Sequence, residues 1–369
     1  MADNGIYVTR PRLPPLNELV LLLEEVWERQ IVTNEGPLLK QFERMLSEYL
    51  DLPHIAIVNN GTTALILALQ ALELSGEVIT TPFSFVATSH ALRWAGLDPV
   101  FIDIAPGSPN LDPALIEAAI TPRTSAILAV HCYGYPCASE AIDEVGAKYG
   151  LKVIYDAAHA FGVTDREGSI LRYGDLSVLS LHATKVFNSI EGGAVVCKSS
   201  EMKERIDQLK NFGIADEVSV PDVGLNGKLS ELHAAVGVLQ LKSINADIER
   251  RRRIAARYRQ LLKGAAGIRL LDAGPGVSSN GAYFPIFLDC DFPLSRDELH
   301  DLLKANDIGT RRYFFPLISS LPSYRSYRPA DPKRLPVAET AAAQVLCLPI
   351  YPSLALKDVD RIVSLIVSA

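Results

Sequence analysis

Between His54 and Asp156 the chain repeats one pattern, a short unbroken apolar run followed by a stretch with helical spacing. The runs "HIAIV", "EVITT", "PVFIDI", "SAILAV" and "KVIYD" alternate with "TTALILALQAL", "FVATSHALRWA", "PALIEAAI" and "SEAIDEVGAKYG". Strands covered on both faces read as continuous apolar runs, and parallel neighbours need a crossover long enough to hold a helix. The alternation therefore predicts an α/β fold with a mostly parallel sheet between helices. Two helical stretches, 16–30 and 37–50, precede it and are separated by the turn-like "TNEGP". From about Ile244 a long charged helical stretch leads into shorter strands, "GAYFPIFLD" and "QVLCLPI", set among "SRDELHDLLKAND" and "LKDVDRIVSLIV". The expected organisation is a large α/β domain over 1–240 and a smaller α+β domain over 241–369.

With 369 residues, 48% of them hydrophobic, such a chain can bury a large core. Its net charge of −7 leaves no basic excess, and the single basic run, "ERRRR" at 249–253, lies in a helical stretch as a solvated face. Nucleic acid is not an expected partner. Five cysteines without CxxC spacing suit a reducing cytoplasm, not a disulfide scaffold or zinc site. The first residues lack an apolar signal core, and no run approaches the roughly 20 residues that cross a bilayer. A soluble cytoplasmic protein with no membrane partner is expected.

In open α/β sheets, ligands gather at the carboxyl ends of the strands. Four features fall there. In "NNGTTALILALQAL", Gly61 permits a tight turn, and Thr62 and Thr63 open a helix. That is either a plain N-cap or an anion site of exposed N–H groups and hydroxyls. In "KVIYDAAHAFG", Asp156 ends a strand and His159 follows one turn later. The carboxylate is either a helix cap or the partner of a protonated ring nitrogen, with His159 placed to reach the same ligand or to orient the carboxylate. In "TTPFSFVATSHAL", Phe83 and Phe85 are either core or a face on which a flat ring stacks. In "SLHATKVFNSIEGGAVV", Lys185 sits in a loop between two apolar runs, five residues after Ser180. It is either a solvent-facing charge or an amine whose pKa is lowered by desolvation.

Taken together these four make one inventory. Pyridoxal 5′-phosphate needs donors for its phosphate, a stacking face for its ring, an anion to keep its pyridine nitrogen protonated, and an amine for its aldehyde. On that reading Lys185 is present to form a Schiff base.

These segments resemble the DegT/DnrJ/EryC1/StrS sugar aminotransferases, pyridoxal-phosphate enzymes of fold type I. The resemblance runs through "TNEGPLLKQFE", "NNGTTALILAL", "EVITTPFSFVATSHAL", "YDAAHAFG", "SLHATKVFNSIEGGAVV", "GLNGKLSELHAAVGVLQL" and "LCLPIYPSL". It implies that Lys185 bonds the cofactor, that Asp156 faces the pyridine nitrogen, and that His159 stands where the family has Gln or His near the phenolic oxygen. It further implies Phe85 as the stacking aromatic and Gly61, Thr62 and Ser180 as phosphate ligands, with Thr63 adjacent. Asn226 resembles an asparagine that reaches the neighbouring subunit's phosphate, which implies a homodimer with shared sites. The implied reaction moves an amino group from L-glutamate, leaving 2-oxoglutarate, to a keto-deoxysugar nucleotide. The branch it most resembles acts on dTDP-4-keto-6-deoxy-D-glucose in building glycan sugars such as those of O-antigens.

Two segments depart from the family's pattern. Gly224-Leu225-Asn226-Gly227-Lys228 replaces a common Gly-Tyr-Asn-Tyr-Arg, and Pro316-Leu317-Ile318 replaces a common Pro-Leu-His. Both bear on the sugar nucleotide more than on the cofactor, and a C3-specific aminotransferase is the first alternative. A sugar dehydratase of this fold has histidine in place of the lysine, and a non-catalytic cofactor-binding protein could lose the lysine or the carboxylate. Here both are present. A Rossmann-type oxidoreductase lacks support, because no GxGxxG follows the first apolar run.

Overall fold

The computed structural model describes residues 5–327 and 335–369. Its main sheet has seven strands: β1 (Ile55–Val58), β2 (Glu77–Thr80), β3 (Asp98–Phe101), β4 (Thr124–Val130), β5 (Lys152–Asp156), and, past a two-stranded ribbon of β6 (Thr164–Asp165) and β7 (Gly168–Ser169), β8 (Leu176–Ser180) and β9 (Gly193–Cys197). The order across the sheet is β1-β9-β8-β5-β4-β2-β3. Strands β8, β5, β4, β2 and β3 are parallel, and β9 alone runs against its neighbours β1 and β8. The reversal has a simple cause. The β8–β9 connection holds no helix, so the chain turns back as a hairpin and cannot cross over. Lys185 sits in that connection.

Side-chain alternation sends successive residues of one strand to opposite faces. Ile55 and Ile57 enter a core with Phe42, Leu46 and Val238, whereas Ala56 and Val58 enter another with Leu65 and Leu67. Helices Leu16–Arg29, Pro37–Leu50 and Glu231–Leu241 close the first face, and helix Gly61–Ala71 closes the second. The fully buried Glu231 fixes this packing. Its carboxylate accepts from the Leu38 and Leu39 N–H groups at 2.9 and 2.8 Å, neutralising two of the orphan donors at the start of helix Pro37–Leu50. Gly36 has to be glycine there, since a methyl group would come within 2.5 Å of Glu231 Cδ.

Helix Ile244–Leu261 belongs to two cores at once: Ile248 packs in the first, Ile254 and Tyr258 in a separate one. That second core covers a three-stranded antiparallel sheet of β10 (Ile268–Leu270), β11 (Phe284–Leu288) and β12 (Val345–Leu348), with helices Arg296–Ala305 and Leu356–Val367. Helix Arg296–Ala305 begins with a reciprocal capping box between Ser295 and Glu298. Ile6 also packs in the second core and bridges to Ile308, so the chain's start lies against its later part. Among the described residues, no helix is long and apolar enough to cross a membrane.

Candidate active site

The carboxyl ends of β1, β5 and β8 converge on one cavity of about 720 Å³. Gly61, Thr62, Thr63, Phe85, Asp156, His159, Ser180 and Lys185 all line it. Asn226 does not. It is exposed outside the cavity, and its carbonyl accepts from the Asn59 side chain at 3.1 Å.

One wall is the start of helix Gly61–Ala71. Asn60 caps it, its side chain accepting from the Thr63 N–H at 2.8 Å. The Gly61 and Thr62 N–H groups precede the first intrahelical bond and find no acceptor among the described residues. Close packing makes this wall. A methyl at Gly61 would stand 2.9 Å from Ser180 Cβ, and one at Gly193 would stand 2.5 Å from the Asn60 carbonyl. The glycines therefore bring a helix N-terminus and the Ser180 hydroxyl together as an anion cradle.

The aromatic pair separates cleanly. Phe83 is fully buried with Tyr133 and Phe314, whereas Phe85 is 54% exposed and borders the cavity. Phe85 is the open face.

Asp156 is buried at the end of β5. Thr88 donates to its Oδ2 at 2.7 Å, and the Ala158 N–H donates to Oδ1 at 3.2 Å. Thr88 spends its one proton there, so it accepts from Ser84 Oγ at 2.7 Å. Burial pushes the Asp156 carboxyl up, opposed by the Thr88 hydroxyl, the Ala158 N–H and the Lys185 charge. Lys185 approaches from the β8–β9 connection, its backbone N–H held by the His182 carbonyl at 2.9 Å. Its amine has no hydrogen-bond partner among the described residues, and desolvation pushes its pKa down to about 8 against the pull of Asp156. Burial also drives His159 well below the usual imidazole range. All three groups are thus biased by burial towards their neutral forms.

His159 does not orient Asp156. Its Nδ1 accepts from the Tyr133 N–H at 3.1 Å, and its Nε2 lies 3.4 Å from the Tyr283 hydroxyl. In the second departure segment Ile318 is buried against Phe101 and Tyr324 and its N–H donates to the Pro82 carbonyl, whereas Leu317 packs with Phe314, which lines the cavity. Sequence reasoning missed Thr88, Ser84 and Tyr283. Ser84 stands in the turn before helix Ala87–Trp94, which carries Thr88 in its first turn, and nothing local ties Tyr283 to a strand end more than a hundred residues earlier.

The residues fit pyridoxal phosphate. A buried carboxylate hydrogen-bonded only by a hydroxyl and one N–H, with the Lys185 charge nearby but not bonded to it, has room for a cationic donor of the kind a protonated pyridine nitrogen would supply. The unpartnered amine suits an aldehyde, and the cradle of free N–H groups suits a phosphate.

Comparison with known proteins agrees. The model of the DegT/DnrJ/EryC1/StrS aminotransferase family matches residues 17–367. A dTDP-4-amino-4,6-dideoxy-D-glucose transaminase of Shigella dysenteriae is 52% identical over 365 residues, 99% of each chain. One of the same name from Escherichia coli is 49% identical, again over 99% of each. The crystal structure of DesI in the presence of its TDP-sugar product superposes with a TM-score of 0.94 at 38% identity, covering 99% of this chain and 93% of that one. The chain is a member of the DegT/DnrJ/EryC1/StrS aminotransferase family, with the fold type I architecture and a pyridoxal 5′-phosphate cofactor.

Proposed function

We propose that this aminotransferase moves the amino group of L-glutamate to dTDP-4-keto-6-deoxy-D-glucose, giving dTDP-4-amino-4,6-dideoxy-D-glucose and 2-oxoglutarate. The observation that carries this reading is the 52% identity, across 99% of each chain, to a Shigella transaminase named for that sugar. The cavity supports it, with a cradle, an open aromatic, a buried carboxylate and an unpartnered amine on one sheet edge.

In this reading Gly61, Thr62 and Ser180 hold the phosphate with Thr63 beside them, Phe85 covers the ring, and Asp156 keeps the pyridine nitrogen protonated. When bound, the cofactor supplies an aldehyde that takes up the amino group and a cationic ring that withdraws electrons. Lys185, with its pKa near 8, takes the proton from the α-carbon of glutamate and in the second half delivers one to C4 of the sugar. His159 stays neutral and donates from Nε2. Incubation with glutamate and a panel of 3-keto and 4-keto nucleotide sugars, read by mass spectrometry and NMR, is expected to give the 4-amino sugar on a dTDP carrier. A 3-amino product, or transfer confined to another nucleotide, would overturn the assignment.

The same reading makes the protein a cytoplasmic homodimer with its large and small domains divided near residue 240. Five unpaired cysteines support the compartment. Leu16, Leu21 and Trp27, each more than 60% exposed on one N-terminal helix, support a partner surface. Asn226, outside its own chain's cavity, then completes the partner's cradle. Mixing Lys185→Ala with Asn226→Ala protein tests this. Each variant alone is expected to be impaired, whereas a mixed dimer contains one site with both residues intact and regains activity. No recovery after subunit exchange is verified would place Asn226 outside the shared site.

A further inference from the structure

Hydrogen-bond accounting around His159 points to a residue that neither its position in the sequence nor its neighbours announce. The Tyr133 N–H already occupies His159 Nδ1 at 3.1 Å. Burial keeps the ring neutral, so its one proton sits on Nε2. Tyr283 Oη lies 3.4 Å from that nitrogen. A nitrogen that carries hydrogen cannot accept, so the Tyr283 hydroxyl accepts at this contact and its own proton is left for another acceptor. Tyr283 borders the cavity, and the hydroxyl makes no other hydrogen bond among the described residues.

The arrangement is rigid. Tyr133 is held at φ 57°, a left-handed conformation unusual for a tyrosine, and this aims its N–H at His159. Gly134 follows at φ 84°, and a methyl there would come within 2.8 Å of the His159 carbonyl. The fully buried Asn280 donates to the His159 and Phe161 carbonyls at 2.8 and 2.9 Å and accepts from the Ala282 N–H at 2.9 Å. Asn280 thus bolts the segment entering β11 to the turn after β5 and sets where Tyr283 stands. The Tyr283 ring packs at 4.7 Å on His159 and 5.6 Å on Tyr133.

The cofactor's chemistry says what this proton meets. With the ring nitrogen at Asp156 and the aldehyde carbon, para to it, at Lys185, the phosphate arm lies on the Gly61 and Ser180 side. The ring's phenolic oxygen would then be on the opposite side, the β4 side of Asp156, where His159 meets Tyr133 just past β4 and contacts Tyr283. We infer that Tyr283 is a cofactor-binding residue whose hydroxyl donates a hydrogen bond to this anionic oxygen, with its proton directed there by the His159 tautomer. The inference rests on the cofactor placement proposed above.

A donor beside an oxyanion favours the deprotonated state of the system it touches, so its loss raises the pH at which that system gives up its proton. The test is a pH titration of the visible absorbance of Tyr283→Phe protein loaded with pyridoxal phosphate. Phenylalanine keeps the ring packing and removes only the hydroxyl. The expected result is a midpoint raised by about one pH unit, roughly what one hydrogen bond to a charged group supplies, in a variant that stays folded without cofactor even though the His159 Nε2–H loses its acceptor. An unshifted midpoint in a variant that still loads the cofactor overturns the inference. If borohydride leaves Lys185 unlabelled in the wild type, the cofactor placement itself has failed, and that outcome is separate. A variant that no longer folds is replaced by Asn280→Ser, which displaces Tyr283 and is expected to shift the same midpoint in the same direction; an unshifted midpoint there also counts against the inference.

Discussion

Lys185→Ala is expected to lower the rate of amino transfer by about 10⁴-fold or more, the largest effect of any single substitution in this chain. On the proposed assignment two functions leave with one amine, the covalent hold on the cofactor and the base that moves the donor's α-proton, and general acid–base work alone accounts for about 10²- to 10⁴-fold. The cradle at Gly61 and Ser180 and the open face of Phe85 are untouched, so the variant still takes up cofactor and yields it on dialysis. Borohydride reduction followed by peptide mapping labels Lys185 in the wild type and nothing in the variant. Activity within tenfold of wild type would remove the lysine from the chemistry. The pH behaviour carries a second check. An amine at about 8 in the folded protein and at 10.5 when exposed loses its proton early on folding. Between those values the unfolded chain binds the extra proton, so the cofactor-free wild type gains stability as pH rises through the window. Lys185→Ala removes that gain. Modification of Lys185 by an amine-reactive reagent in empty protein follows the same midpoint near 8.

How much of this was legible in the sequence depends on how local each signal is. The strand–helix alternation is local, and β1 to β5 form where the apolar runs stand. The residues at strand ends follow from it: parallel pairing brings Asp156 and Ser180 to one edge, and Gly61 joins them because β9 runs against both β1 and β8. The loop between the last two apolar runs is visible in the sequence, but the reversed direction of β9 is not. What could not be read were contacts that close only in three dimensions. Asp156 with a small turn after it looks like a cap, and only the fold shows Thr88 donating to it from a helix 68 residues earlier. His159 is close enough in sequence to suggest service to Asp156, yet its nitrogens go to Tyr133 and Tyr283. Phe83 and Phe85 are two residues apart and chemically identical, and burial alone tells them apart. Pro316-Leu317-Ile318 stands out in the sequence as a departure bearing on the sugar nucleotide, but only the fold shows that the Ile318 side chain belongs to a small core with Phe101 and Tyr324.

Asp156→Asn separates holding a cofactor from holding a fold, because the two effects have opposite signs. Burial raises the Asp156 pKa above its ordinary value. A carboxyl raised in the folded state makes stability fall as pH climbs through it, so at neutral pH the charge is a net destabilising group. The amide keeps the shape and an acceptor for Thr88 or Ala158 and drops the charge. The cofactor-free variant is therefore expected to match or exceed wild type in thermal stability at pH 7. With cofactor the order inverts. The pyridine nitrogen loses its anionic partner in a site that excludes water, and breaking a buried pair costs about 3–5 kcal/mol, or about 150- to 4,000-fold in affinity. Turnover falls further, since an uncharged ring nitrogen no longer draws electrons from the carbon that loses its proton. Thermal melts with and without cofactor, together with a cofactor titration, read both halves. A variant less stable when empty, with unchanged affinity when loaded, would show that Asp156 serves the fold as a cap and that the cationic partner lies elsewhere.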